Sequence, residues 1–150
     1  MIDKLREYLV TPLHIRCKVT LPLRILNAQR CKTADDWNYI TPTEFYEKYY
    51  LAKNKKYFLI DLRSKEEFDK FHVKGSHNIF WLDLLNEENL KKIPKNKKIF
   101  LICYVGHTSS QAMVLLKLLG YDVTSIKYGY GVSPVMGIPI SGWINYNYPI

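Results

Sequence analysis

Cysteine is scarce in this sequence: 150 residues carry three thiols, Cys17, Cys31 and Cys103. An odd, low number argues against a disulfide scaffold. No two of them form a CxxC pair and no His stands at zinc-finger spacing from them, so no structural metal site is expected. Long apolar runs are also missing. Nothing approaches the roughly 18 consecutive apolar residues of a membrane span. Charges interrupt the first residues, MIDKLREYLVTPLHIRCK, every few positions. No signal-peptide core is read there, and a cytoplasmic setting is expected.

What is present is an ordinary globular composition, with 47% apolar and 24% charged residues, which excludes a disordered chain. The length suffices for one domain with a sizeable core. The formal net charge is +8, with lysines clustered at Lys53, Lys55 and Lys56 and again at Lys91, Lys92, Lys95, Lys97 and Lys98. Such a balance serves solubility and attracts small anions. No nucleic-acid-binding motif accompanies it, so a nucleic-acid partner is not expected.

The chain divides near residue 37. Before it, Ile15, Cys17, Val19, Leu21, Leu23 and Ile25 alternate with Arg16, Lys18, Thr20, Pro22 and Arg24, the period of a strand with one buried face. Pro22 argues against a central strand, so residues 1–37 are read as an arm packed on the domain or on a partner. After it, strand and helix signals alternate. Thr41-Pro42-Thr43-Glu44 is a capping box with proline at the first helical position, predicting a helix to about Leu51. Tyr57–Ile60 is a short apolar run, as in a strand buried on both faces. Ser64-Lys65-Glu66-Glu67 opens a second helix. Asn78 to Trp81 suggests a strand and Leu82 to Leu90 a helix. Ile99–Ile102 is another buried strand, Ser109 to Leu119 a helix stopped by Gly120, and Val123 to Ile126 a last strand. Apolar positions cover most of the 109–119 helix, which predicts a buried helix. The βαβα order implies a parallel sheet covered by helices. Residues 128–150, rich in Gly, Pro and aromatics, predict an irregular segment closing over the sheet.

Ligands of such sheets sit beyond the carboxyl ends of the strands, and Cys103 lies at one. It leaves a buried strand a few residues before a helix. The amides of Tyr104 to Ser109 can curl around its sulfur, and the helix N-terminus adds a partial positive charge. Both favour the thiolate, the nucleophilic form of cysteine. Gly106, lacking a Cβ, lets the loop turn tightly, and His107 offers a charge or a donor at the rim. The alternative is that Cys103 is a small core residue, a common fate for cysteine.

The segment CYVGHTSSQAMVLLKLLGYDV resembles the active-site segment of the rhodanese family, a Cys-x-x-Gly-x-Thr/Arg/Ser loop followed by a helix and a Gly-Tyr turn. Upstream, Asp61-Leu62-Arg63, Glu67-Phe68, His72-Val73-Lys74-Gly75-Ser76 and Asn78-Ile79 resemble the family's D-x-R…E-F…H-I-x-G-A-x-N-I pattern. The likeness runs over about residues 38–150. It implies an α/β fold, a rhodanese-like parallel five-stranded sheet flanked by helices, preceded here by the arm. It implies a sulfurtransferase whose nucleophile is Cys103, with Tyr104, Val105, Gly106, His107 and Thr108 as the substrate-binding cradle. Asp61, Arg63, Glu67 and His72 fall on framework positions. The chain departs from the pattern in having Phe71 before the motif His. The family's C-terminal Gly-Gly-Met-x-x-Trp appears as Tyr128-Gly129-Tyr130, with Trp143 beyond an insertion at 132–141.

The chemistry so implied moves sulfane sulfur from a donor such as thiosulfate, through a Cys103 persulfide, to a thiol or a sulfur-acceptor protein. It needs no metal or organic cofactor. Two rivals differ in class. A phosphatase or arsenate reductase would use a longer loop ending in Arg for a bidentate grip on the oxyanion, and that position is Ser109 here. A non-catalytic rhodanese-like binding or regulatory module would not need Cys103.

Overall fold

The computed structural model describes residues 38–52, 56–132 and 141–150. The expected arm at 1–37, with Cys17 and Cys31, lies outside them, as do Lys53, Lys55 and residues 133–140 of the insertion. Five strands make one sheet: β1 (Tyr39–Ile40), β2 (Tyr57–Asp61), β3 (His77–Asn78), β4 (Lys98–Ile102) and β5 (Val123–Ile126). Their spatial order is β1-β5-β4-β2-β3, and every pairing is parallel. This is the helix-flanked parallel sheet expected from the alternation of elements.

The central strand explains the short apolar runs. Side chains alternate across a strand. Ile99 and Leu101 therefore enter one core with Ile60, Leu62, Ala112, Met113, Leu116 and Val123. Phe100 and Ile102 enter the other with Phe45, Leu59, Val73, Tyr130 and Trp143. From Ile99 onward both faces of β4 are buried, so polar residues have no place there. Cys103 follows with the parity of Ile99 and Leu101 and lies in the first core.

The capping box forms as read: Glu44 N–H donates to Thr41 Oγ1 at 3.1 Å while Thr41 N–H donates to the Glu44 carboxylate at 3.0 Å. The helix it opens, α1 (Pro42–Phe45), widens into a π-helical turn over Tyr46–Tyr50. A wider turn stacks residues four and five apart, and Phe45, Tyr46, Tyr49 and Tyr50 all pack in or against the second core. Ser64 caps α2 (Lys65–Lys70).

Three expectations are corrected. The strand read over Asn78–Trp81 is β3 alone, followed by a 3-10 turn over Trp81–Asp83. Asn78 Nδ2 ties back to the carbonyls of Asp61 and Arg63, and Trp81 N–H donates to the Leu62 carbonyl, which bends the chain off the sheet. The helix read over Leu82–Leu90 begins only at α3 (Glu87–Lys92). The 107–118 helix, α4 (His107–Leu118), is not buried all round. Ser109, Ala112, Met113 and Leu116 face inward, whereas Val114, Leu115, Leu118 and the following Leu119 are 44–53% exposed. A sheet covers only one side of a helix lying on it, and apolar residues counted around the circumference do not tell which. Among the described residues no helix is long and apolar enough to cross a membrane.

Candidate active site

Residues after β4 form a tight loop. Gly106 adopts φ +96°, a left-handed conformation that a side chain disfavours. It is also the N-cap of α4 but has no side chain to accept the helix's free amides. The sulfur of Cys103 takes that part: Gly106 N–H donates to Sγ at 3.2 Å and Ser109 N–H at 3.4 Å. An N-cap side chain ordinarily accepts from the second or third helical amide, and here the acceptor arrives from the preceding strand. The positive end of the helix therefore bears on the sulfur, which is 2% exposed as a residue.

A hydroxyl pair completes the surroundings. Ser109 Oγ lies 3.4 Å from Sγ, within 3.1 Å of the Gly106 carbonyl and 2.8 Å from Ser125 Oγ. Both serines are fully buried. Ser125 reaches the pocket because it pairs in register with Leu101 of β4 and so projects toward the face covered by α4.

The turn after β5 buttresses the loop. Tyr130 N–H donates to the Cys103 carbonyl at 2.9 Å and Gly131 N–H to the Tyr104 carbonyl at 3.0 Å. The approach is so close that a Cβ on Gly129 would stand 2.0 Å from the Cys103 oxygen. Trp143 N–H donates to the Gly129 carbonyl, so the aromatic segment beyond the insertion returns to this turn and closes over the second core, as its composition suggested.

Of the residues read as a cradle, Gly106 gives its amide to Sγ. Val105 is buried, Tyr104 and Thr108 are half-buried, and His107 is exposed at the head of α4. Among the described residues, the groups within hydrogen-bond distance of Sγ are the amides of Gly106 and Ser109, which donate to it, and Ser109 Oγ, which accepts from it. The Ser109 amide belongs to the run of amides read as curling around the sulfur, whereas its side chain was read only as the place where a phosphatase would carry Arg. Ser125 was missed, since no local pattern joins it to the loop. Lys70 lies within electrostatic reach of Tyr104, and its ammonium is held above its usual range chiefly by a hydrogen bond to Glu67.

The framework residues make a separate cluster. Arg63 and Asp61 form a fully buried ion pair: Nη2 lies 2.8 Å from Oδ2, and Nε is shared between both oxygens. Nη2 also donates to the Phe71 carbonyl at 2.7 Å. Tyr130 O–H donates to Asp61 at 2.9 Å and accepts from Val73 N–H at 3.0 Å, and its ring lies 3.6 Å from the guanidinium carbon. Burial, and then the Asp61 carboxylate, push the Tyr130 hydroxyl well above the usual tyrosine range. His72 stacks on Phe68 with Nδ1 3.0 Å from the Phe68 carbonyl, and Glu67 pairs with Lys70. Among the described residues no three His, Cys, Asp or Glu side chains stand close enough to hold a metal ion.

The model of the rhodanese-like domain matches residues 41–131. An adenylyltransferase and sulfurtransferase of Ogataea parapolymorpha is 31% identical over 87 residues, covering 58% of this chain and 22% of the relative. A probable adenylyltransferase/sulfurtransferase of Mycobacterium tuberculosis is 32% identical over 83 residues, 55% of this chain and 21% of the relative. The chain thus spans about a fifth of the length of these curated relatives. A solved rhodanese-related protein from Thermoplasma volcanium superposes with a TM-score of 0.58 at 26% identity, over 74% of this chain and 94% of the other. A thiosulfate sulfurtransferase from Pseudomonas aeruginosa shares the fold at a TM-score of 0.58 and 17% identity, over 74% of this chain and 18% of that one.

Proposed function

This chain belongs to the rhodanese-like domain family, and from that premise we propose that it is a sulfurtransferase in which Cys103 carries sulfane sulfur as a persulfide. The observation that carries the reading is the Cys103 sulfur, seated where an N-cap side chain would sit and accepting the amides of Gly106 and Ser109. Those donors need no rearrangement to stabilise negative charge on sulfur, which is the electrostatic requirement of the reaction. The first curated relatives carry sulfurtransferase in their names.

The Cys103 thiolate attacks the outer sulfur of thiosulfate. A Cys–S bond forms, the S–S bond of the donor breaks, and sulfite leaves with its electron pair. The terminal sulfur of the resulting persulfide anion is then taken by cyanide or by the thiol of a small molecule or acceptor protein, and the Cys103 thiolate returns. Covalent catalysis of this kind predicts ping-pong kinetics. No cofactor enters either step. Tyr104, Val105, His107 and Thr108 form the rim that meets the donor's oxyanion end, with His107 and the surrounding lysines attracting it. The net charge of +8 makes that attraction long-ranged and sensitive to salt. The same reading takes residues 38–150 as the sulfur-handling domain, residues 1–37 as an attached arm, and the cytoplasm as the setting. Limited proteolysis should then cut first within or just after the arm.

The decisive experiment loads the protein with thiosulfate, weighs it intact and assays thiosulfate:cyanide transfer, in parallel with Cys103→Ser. A gain of one sulfur atom is expected only where Cys103 is present, with turnover that declines as ionic strength rises and negligible hydrolysis of a chromogenic phosphate ester. Transfer that survives in the Ser variant would overturn the assignment. A protein that never takes up sulfur from thiosulfate, persulfide or thiosulfonate donors would be a binding module instead.

A further inference from the structure

Ser109 and Ser125 are buried hydroxyls that the two-step transfer does not require, and they stand in a line that ends on the reacting sulfur. Resting on the sulfurtransferase reading, we propose that Ser109 is a catalytic hydrogen-bond donor whose hydroxyl turns from the Gly106 carbonyl onto Sγ when that sulfur becomes anionic, and that Ser125 is the positioning residue that holds it ready.

The distances define both states. With Cys103 as a thiol, S–H points at Ser109 Oγ across 3.4 Å, Ser125 O–H donates to the same oxygen at 2.8 Å, and Ser109 O–H donates to the Gly106 carbonyl at 3.1 Å. Once the thiol proton is released to water, Ser109 Oγ has lost one donor and Sγ has become an acceptor. Rotation about the Ser109 Cα–Cβ bond moves its hydrogen onto Sγ, while Ser125 continues to donate to the Ser109 oxygen. The Gly106 carbonyl is not orphaned by the exchange, because it also accepts Ser110 Oγ at 2.6 Å and Ser110 N–H at 3.1 Å. The sulfur anion thereby gains a third donor beside the amides of Gly106 and Ser109. Hydrogen bonds to charged groups exceed those between neutral ones, so the donor counts for more with the thiolate than with the thiol. It acts the same way on the sulfur of the regenerated thiolate after each transfer.

Other charges near the loop are differently engaged. Asp61 and Arg63 at the end of β2 neutralise each other. His107 at the head of α4, Tyr104 in the loop, and Lys127 and Tyr128 after β5 make no hydrogen bond or ion pair with Sγ among the described residues. The hydroxyl pair is therefore the neutral device through which α4 and β5 reach the sulfur.

The test is an ultraviolet titration of the thiolate in the full chain carrying Cys17→Ser and Cys31→Ser, read as the difference from the same protein with Cys103→Ser so that tyrosine ionisation cancels. Ser109→Ala should raise the midpoint by about one pH unit, or about 1.4 kcal/mol. Ser125→Ala should raise it less, in the same direction. The double variant should match Ser109→Ala alone, because Ser125 acts only through Ser109; two independent structural effects would add. An unchanged midpoint in Ser109→Ala overturns the donor role, and additive shifts overturn the relay. Should Ser109→Ala fail to fold, as judged by circular dichroism, an unmoved midpoint in Ser125→Ala also overturns the relay. Failure of the sulfurtransferase reading is separately visible, since it would appear as sulfur transfer surviving in Cys103→Ser whatever the titrations give.

Discussion

Two buried polar clusters stand near the carboxyl ends of the central strands and are built on opposite principles. At the end of β2, Asp61 and Arg63 are charged, mutually neutralised and closed in by the Tyr130 phenol: the guanidinium grips the carboxylate at 2.8 Å and the phenol donates at 2.9 Å. Beyond β4, two backbone amides and the Ser109–Ser125 hydroxyl pair meet at the Cys103 sulfur, which no counter-charge touches among the described residues. A buried ion pair whose carboxylate is held by both the guanidinium and the phenol serves the frame, although Arg63 Nη1 has no hydrogen-bond partner among the described residues. Amides aimed at an ionisable sulfur give the other cluster capacity for a negative charge. The two also touch: Tyr130 gives its hydroxyl to Asp61 and its backbone N–H to the Cys103 carbonyl, so the closed cluster anchors the open one.

The comparison breaks most severely at Arg63. Arg63→Ala strands the Asp61 carboxylate in a fully buried site, and a loss of about 3–5 kcal/mol is expected in urea denaturation. Cys103→Ser, in the other cluster, is expected to shift the same transition by less than about 1 kcal/mol while abolishing sulfur transfer. If Arg63→Ala were mild and Cys103→Ser unfolded the protein, the division into frame and site would be reversed.

Gly129 tests the junction. A Cβ there meets the Cys103 oxygen at 2.0 Å from a backbone at φ +52°, so Gly129→Ala should cost about 2–3 kcal/mol of stability and should lower turnover as well, since the displaced atom carries the reactive loop. Tyr130→Phe should follow at about 1–2 kcal/mol, because it removes the donor to Asp61 and the acceptor for Val73 N–H. Its pH dependence has a definite sign. The folded state raises the Tyr130 hydroxyl above the ordinary value of 10.0, through burial first and the Asp61 carboxylate second. The group therefore contributes stability that is fully present below pH 10.0 and is lost as pH rises beyond it. Stability should fall less steeply with increasing alkalinity in Tyr130→Phe than in the parent.

The smallest effect lies away from both clusters. Thr41→Ala removes the α1 cap, with an expected loss of about 1 kcal/mol. Glu44 is held below its usual value of 4.5, first by the Thr41 backbone N–H and then by the Thr41 hydroxyl. Its contribution is present above pH 4.5 and fades as pH falls through the lower folded value. Thr41→Ala removes the hydroxyl but keeps the backbone N–H, so it should flatten the acid side of the stability profile only in part while leaving the alkaline side, governed by Tyr130, unchanged.

Local chemistry was readable from residue order alone. The capping box at Thr41, the simple cap at Ser64 where a second box was read, the buried runs of β2 and β4, the stop at Gly120 and the place of Cys103 between strand and helix depend on neighbours a few positions apart, and such rules act within a single turn or strand. The two-residue strand β1 escaped, being too short for a period to emerge, the bounds of β3 were read wrongly for the same reason, and the exposure of Leu115 and Leu118 escaped because composition does not orient a helix on a sheet. The contacts that make the loop a site lie further off still. Ser125 meets Ser109 only because parallel pairing sets β5 beside β4, and Tyr130 reaches Asp61 across 69 residues of sequence. Residue order determined that a cysteine would stand at the end of a buried strand ahead of a helix. Register and crossover decided which hydroxyls and which ion pair would stand beside it, because those are set by the closure of the whole sheet and not by any stretch of chain short enough to carry a pattern.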